Sequence, residues 1–320
     1  MNARHIATAL MAAMACGPSV GIAVPLLGDA QSFAVNGKAG VTNPPLSATS
    51  VNGSLGANTS NSVTGFATVD GGAGTVSNGA VHVLDMSATN AQAAILIAIG
   101  ALNALPGTTG LAVHPEGGNT LGSGGDIDNL TPGVYTFSSS TLLHGTLTLN
   151  AGSSLNPVFV FLIHDAITTD ALSSVVMSNG GGDAGVFWVT GTFATLGDNS
   201  TFEGNILAGS AITLDPGAQI VCGRAFAQTA VTFAGKSSVP RDNKVDSLGC
   251  EGTAGVGSPT ESSGFSGGLA FTDSGELALI GTAPVGAVPE PPTLALLGIA
   301  LLGFAPHLRR RRTGRCSPVR

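Results

Sequence analysis

The chain has 320 residues, with 47 glycines, only 10% charged residues and a mean hydropathy of +0.37. Six of its twelve Lys and Arg follow residue 308 and one is Arg4, so residues 24–287 keep five bases (Lys38, Arg224, Lys236, Arg241, Lys244) against eighteen acids, a net charge of −13. A body so acidic cannot neutralise a phosphate backbone, which excludes nucleic acid as a partner, and the apolar and β-branched residues recurring between Gly, Asn and Asp turns exclude disorder.

Residues 1–23 read as a signal peptide: Arg4 and His5 supply a positive start, Ile6 to Ala15 a short apolar run, and Ala23 a small residue at a plausible cut. Short strands are expected at Ser32 to Val35, Val51 to Leu55, Val63 to Phe66 and Val81 to Leu84. A helix follows. Asp85 or Ser87 can cap it, Ala88 to Leu105 carries it, and Pro106-Gly107 ends it. Ile95, Leu96, Ile97, Ile99 and Leu102 make it apolar on nearly every side, which predicts burial on more than one face.

Beyond the helix the apolar clusters repeat. Trp188, Leu207 and Phe226 are 19 apart; Leu196, Leu214 and Phe233 are 18 and 19 apart; so are Phe202, Ile220 and Val239. Each period holds three short strands separated by turns such as Gly197-Asp198-Asn199 and Asp215-Pro216-Gly217, the pattern of a triangular β-solenoid. Upstream, Val158 to Ile163, Ile167 to Thr169 and Val175 to Met177 make another coil, and Leu147-Thr148-Leu149 with Leu155 one more. The first strand of each coil, as in Phe187-Trp188-Val189, is apolar at consecutive positions and so must be covered on both sides. The helix is the expected cover, and the other two faces are expected to meet water.

The solenoid is bounded at residues 24–240. Residues 241–287, rich in Gly, Ser and acid, read as a flexible spacer, with a hairpin at Leu269 to Ile280 as the alternative. Cys222 and Cys250 are the body's two cysteines; they either form one disulfide or stay as thiols, which spacing alone leaves open. Residues 288–320 begin with Pro289-Glu290-Pro291, continue as an apolar stretch over 294–305, and reach Arg309-Arg310-Arg311-Arg312. This tail resembles the PEP-CTERM sorting signal of Gram-negative bacteria. The resemblance implies transient contact of 294–305 with the inner membrane, arginines held on the cytoplasmic side, cutting by an exosortase-type enzyme, and delivery to the envelope or extracellular matrix.

Leu27-Gly28-Asp29-Ala30-Gln31-Ser32-Phe33, Gly53-Ser54-Leu55-Gly56, Leu130-Thr131-Pro132-Gly133-Val134-Tyr135, Gly204-Asn205-Ile206-Leu207-Ala208 and Gly223-Arg224-Ala225-Phe226-Ala227 stand in the order found in bacterial and fungal ice-binding proteins, and over about residues 27–240 the chain resembles that family. The resemblance implies a mainly β fold: a right-handed, discontinuous solenoid with one long helix along a face, and ice binding through a flat solenoid face. It implies an ice surface as partner and no cofactor. Ice offers an uncharged lattice of oxygens, and a matching protein face needs repeated short hydroxyl and methyl groups, which threonine carries together. Thr148, Thr168, Thr195, Thr213 and Thr232 read as such a ladder, since apolar neighbours point inward and alternation turns the threonines out. Threonine is also simply a good outward β residue. The rival face carries Ser174, Thr201, Glu203, Gln219 and Val221, where Glu203 and Gln219 break the regularity.

Catalytic signatures are missing. His82, His114, His144 and His164 are scattered, Asp126 and Asp128 read as a solvated turn, and no nucleophile elbow, phosphate loop or dinucleotide fingerprint occurs. No metal site is expected, and an enzyme is not. The second functional reading is a structural or adhesive component of an extracellular polysaccharide matrix, retaining the solenoid without ice affinity. A cleft with paired carboxylates would point instead to a carbohydrate-active enzyme.

Overall fold

The computed structural model describes residues 24–279 except 60–61, 106–112, 116–118, 124–126, 155, 180–183, 236–240 and 249–263. The expected signal peptide and sorting tail, Cys16, Cys250 and Cys316, Asp126, Leu155, Val239, Lys236 and the helix stop at Pro106-Gly107 lie outside the described residues.

Two parallel sheets, of eight and fifteen strands, wrap one core. The eight-stranded sheet forms one face. The larger sheet forms the other two, because two of its strands, Thr201–Ala208 and Gln219–Ala227, run on through a corner. Gly204 and Gly223 sit at that corner with φ of 113° and 149°. A Cβ at Gly223 would meet the Gly204 carbonyl oxygen at 1.9 Å, so only glycine lets the two strands turn there side by side.

The inward positions form a ladder. Tyr135, Phe161, Trp188, Ile206, Ala225, Val35 and Leu55 stack in register, with the Phe161 and Trp188 rings 3.6 Å apart and 5° from parallel. The order of that ladder carries a topological point. The strands of residues 33–57 precede the helix in sequence, yet they stack beyond the 219–227 strand, the last full coil. The solenoid is therefore discontinuous. Its helix-covered face has 81–83 at one end and 113–115 at the other, with seven strands between. At ~4.8 Å per strand that distance is about 38 Å, and an 18-residue helix spans about 27 Å of it.

That helix, Met86–Asn103, is capped by Asp85, whose carboxylate accepts from the Ala88 N–H at 2.8 Å. Ala91, Ile95, Ala98 and Leu102 bury against Val134, Val160, Phe187, Val189, Leu207 and Phe226, which confirms its place over the first strand of each coil. The expectation of burial on several faces fails. Leu96 is 51% exposed and Ile97 60%, because the sheet offers one flat surface and nothing described lies over the helix's outer side.

The stretch expected as spacer is partly structured. Lys244–Asp246 is a strand that links 219–220 to 50–52 and so completes the third face. Leu269–Phe271 and Leu277–Leu279 form an antiparallel hairpin that takes Val24–Pro25 as a third strand. Fully buried Arg224 ties these ends down. It donates to the Gln31 carbonyl at 2.8 Å, to the Gly264 carbonyl at 3.3 Å and to Asn205 Oδ1 at 3.0 Å. Burial lowers its pKa to about 9.

Candidate functional site

The eight-stranded sheet is built from strands of two to four residues whose flanking positions are apolar and whose middle or terminal position faces out. In Ile212-Thr213-Leu214 the two apolar side chains are buried and Thr213 is partly exposed. Parallel pairing without register slips then aligns one outward residue per coil. The rank reads Thr120, Leu142, Thr168, Thr195, Thr213, Thr232, Thr42 and Thr64. Every member is partly or fully exposed. Spacing of ~4.8 Å makes the rank about 34 Å long.

Four of the expected ladder residues, Thr168, Thr195, Thr213 and Thr232, stand together in this rank. Thr148 does not. It lies on the third face, beside Asn129 and Val176, and Leu142 occupies the place opposite Thr168. The cause is coil length: Leu142 and Thr168 are 26 residues apart, not 18 or 19, because this coil has longer turns. Thr120, Thr42 and Thr64 are members that a linear period does not reveal. Thr42 and Thr64 join only because the N-terminal coils stack on the strand of Ala230–Phe233.

The surroundings of the rank are small on one side. Ala166, Ala211 and Ala230 stand two residues before their threonines, with Phe193, 53% exposed, the one bulky member of that column. On the other side are His144 and Asp170, hydrogen-bonded at 2.6 Å, and Asp215. Asp165, at the nearby turn, accepts from Ser140 at 2.5 Å and Thr192 at 2.8 Å, and these bonds hold its carboxyl below the usual range.

The rival face aligns Thr146, Ser174, Thr201, Gln219, Lys244, Ser50 and Thr75. It is neither uncharged nor free. Arg241 reaches across it, donating to Thr201 Oγ1 at 2.9 Å and Gln219 Oε1 at 2.8 Å, and Lys244 pairs with Asp246 at 2.9 Å. Glu203, expected to point to solvent, is mostly buried instead. It accepts from the Met177 N–H at 2.7 Å, and burial pushes its pKa up to about 7.

Cys222 is disulfide-bonded, while Cys250 lies outside the described residues. Among the described residues no three His, Cys, Asp or Glu side chains come together as a metal site. A groove of about 1010 Å³ runs beside the helix between Ile99, Asn103, Leu162 and His164, and no described carboxylate lines it.

Residues 35–239 match the model of the Ice-binding-like family. The chain belongs to this family. Among ice-binding relatives, an ice-binding protein of Nostoc sp. (strain HG1) is 41% identical over 212 residues, covering 66% of this chain and 72% of the relative. One from Flavobacterium frigoris (strain PS1) is 31% identical over 220 residues, covering 65% and 73%. The crystal structure of an ice-binding protein from the Antarctic ascomycete Antarctomyces psychrotrophicus superposes with a TM-score of 0.58 at 33% identity, over 70% of this chain and 98% of that one. Residues 287–312 match the PEP-CTERM protein-sorting motif, which marks this ice-binding-like chain for export.

Proposed function

We propose that the protein adsorbs to ice through the threonine rank of its eight-stranded sheet. The carrying observation is the register itself. Seven threonines and one leucine, one per coil, stand in register along one sheet, with no charged member in the file. Each threonine offers a methyl to an ordered water layer and a hydroxyl to its hydrogen-bond lattice, and the shared ~4.8 Å repeat presents both periodically. Family membership and the names of the relatives support ice as the ligand. The third face is the weaker candidate, since Arg241 already occupies the hydroxyl of Thr201 and the amide of Gln219. No step in adsorption calls for a cofactor or a catalytic group.

The sorting motif implies processing by an exosortase-type enzyme and a place at the cell surface or outside it; a Gram-negative envelope is the setting we infer. Adsorption there would shape ice, inhibit its recrystallisation or hold cells beside it. The test is ice shaping and recrystallisation inhibition with purified residues 24–287. Faceted crystals and inhibition at micromolar protein are expected. Freely growing, unshaped crystals at millimolar protein would transfer the proposal to a matrix or adhesive role.

A further inference from the structure

The threonine rank has a neighbour on its own face. Two residues before each outward position the side chain points out again, about 6.6 Å back along the strand. This second file runs Ser140, Ala166, Phe193, Ala211, Ala230 and Gly40. Backbone hydrogen bonds keep it in step. The Thr141 N–H donates to the Ala166 carbonyl at 2.8 Å, the Ile167 N–H to the Phe193 carbonyl at 3.0 Å and the Ala194 N–H to the Ala211 carbonyl at 3.0 Å. Five of the six carry a hydroxymethyl, a methyl or a hydrogen. Phe193 carries a phenyl ring and is 53% exposed. Ala166 and Ala211, at its two sides, stay partly exposed, as does Ala230 one coil further on. The ring therefore rises between its neighbours rather than lying over them.

We propose that Phe193 sets the width of the ice contact and so determines which crystal planes the protein accepts. This rests on the threonine rank being the ice-binding site. A phenyl reaches a whole ring further from the sheet than a threonine methyl. A flat crystal surface touching the rank along its length therefore cannot also settle on the second file. The other side of the rank is closed by charge: His144 and Asp170, bonded at 2.6 Å, and Asp215 hold water of their own. Contact is confined to a single file. One file matches ice in one direction only, along the ~4.8 Å repeat. Any plane containing a row of that spacing meets it equally well. Two files would fix a second direction and select a plane. Phe193 thus keeps the chain broad in the planes it binds and holds its affinity below what the sheet could reach.

Residues 26–269 supply both core clusters, so the body of residues 24–287 carries its own core and is the protein to use. Fluorescently labelled protein adsorbed to a single-crystal ice hemisphere shows the planes bound, and recrystallisation inhibition gives the potency. Phe193→Ala should decorate fewer planes than the wild type. It should also lower the half-maximal concentration about tenfold or more, since each methyl newly brought to the ice contributes about fourfold. Ala211→Phe alone should leave the wild-type pattern. Added to Phe193→Ala it should restore that pattern, which a change in stability cannot do. Unchanged planes and potency in Phe193→Ala, or weaker inhibition, overturn the proposal while Thr213→Tyr still costs about a hundredfold and keeps the rank as the site. A silent Thr213→Tyr removes the rank itself, and the role of Phe193 with it.

Discussion

Thr213 is the fifth of eight positions in the threonine rank, and that place fixes what a bulky residue there should do. In Thr213→Tyr a ring stands above the methyls of a rigid file. A flat crystal surface resting on the ring can then reach only one side of it. The longest unbroken run falls from eight positions to four, Thr120 to Thr195. Each lost position forfeits about one buried methyl, ~0.8 kcal/mol, so four lost positions cost about 3 kcal/mol, a hundredfold in apparent affinity. Thr64→Tyr, at the end of the rank, leaves seven positions and should cost about fourfold. Thr201→Tyr and Thr148→Tyr, on the third face, should change nothing. The assay is the concentration giving half-maximal recrystallisation inhibition, with thermal melting as the check on folding. Equal losses at Thr213 and Thr64 would refute the rigid-file reasoning, and a larger loss at Thr201 would move the site to the third face.

Arg224→Met leaves the carbonyls of Gln31 and Gly264 and the amide oxygen of Asn205 short of a donor in a buried site. At ~1 kcal/mol or more per acceptor the loss is at least about 3 kcal/mol, or roughly 6–12 °C in melting temperature. Hydrogen exchange should speed up in residues 264–271 first, and unchanged protection there would refute the clamp. Glu203 titrates at about 7 in the folded chain against 4.5 ordinarily. The folded state therefore binds the extra proton between those values, and stability falls as pH rises from 4.5 to 7, by at most about 3 kcal/mol. Glu203→Gln should remove that slope, read as the difference between wild-type and variant melts at the two ends of the window. Parallel melts would show that Glu203 is solvated.

The strand-rich repeat, the helix and the covered first strand were legible because they depend on local pattern. Apolar residues at consecutive positions in Phe187-Trp188-Val189 demand cover on both sides, whatever lies elsewhere in the chain. Alternation in Ile212-Thr213-Leu214 turns Thr213 outward by strand geometry alone. The exposure of Leu96 and Ile97 was not legible, since a helix rich in apolar residues does not declare how many surfaces it will meet. Nor was the burial of Glu203, which depends on the bulge beside Phe202 and on the Met177 N–H in the adjoining coil.

Within the eight-stranded sheet, sequence alone determined which side chain of a strand such as Ile212-Thr213-Leu214 points outward, because backbone pleat and apolar spacing are properties of a few neighbouring residues. Only the tertiary structure decided which coils are neighbours. Parallel strands pair by proximity, and a helix returning along the stack lets residues 40–64 join the strand at 230–233 while a 26-residue coil puts Leu142, not Thr148, beside Thr168. The rank grew from five expected threonines to seven, one of the five replaced by Leu142, because its length is a fact about stacking order, which no linear period contains.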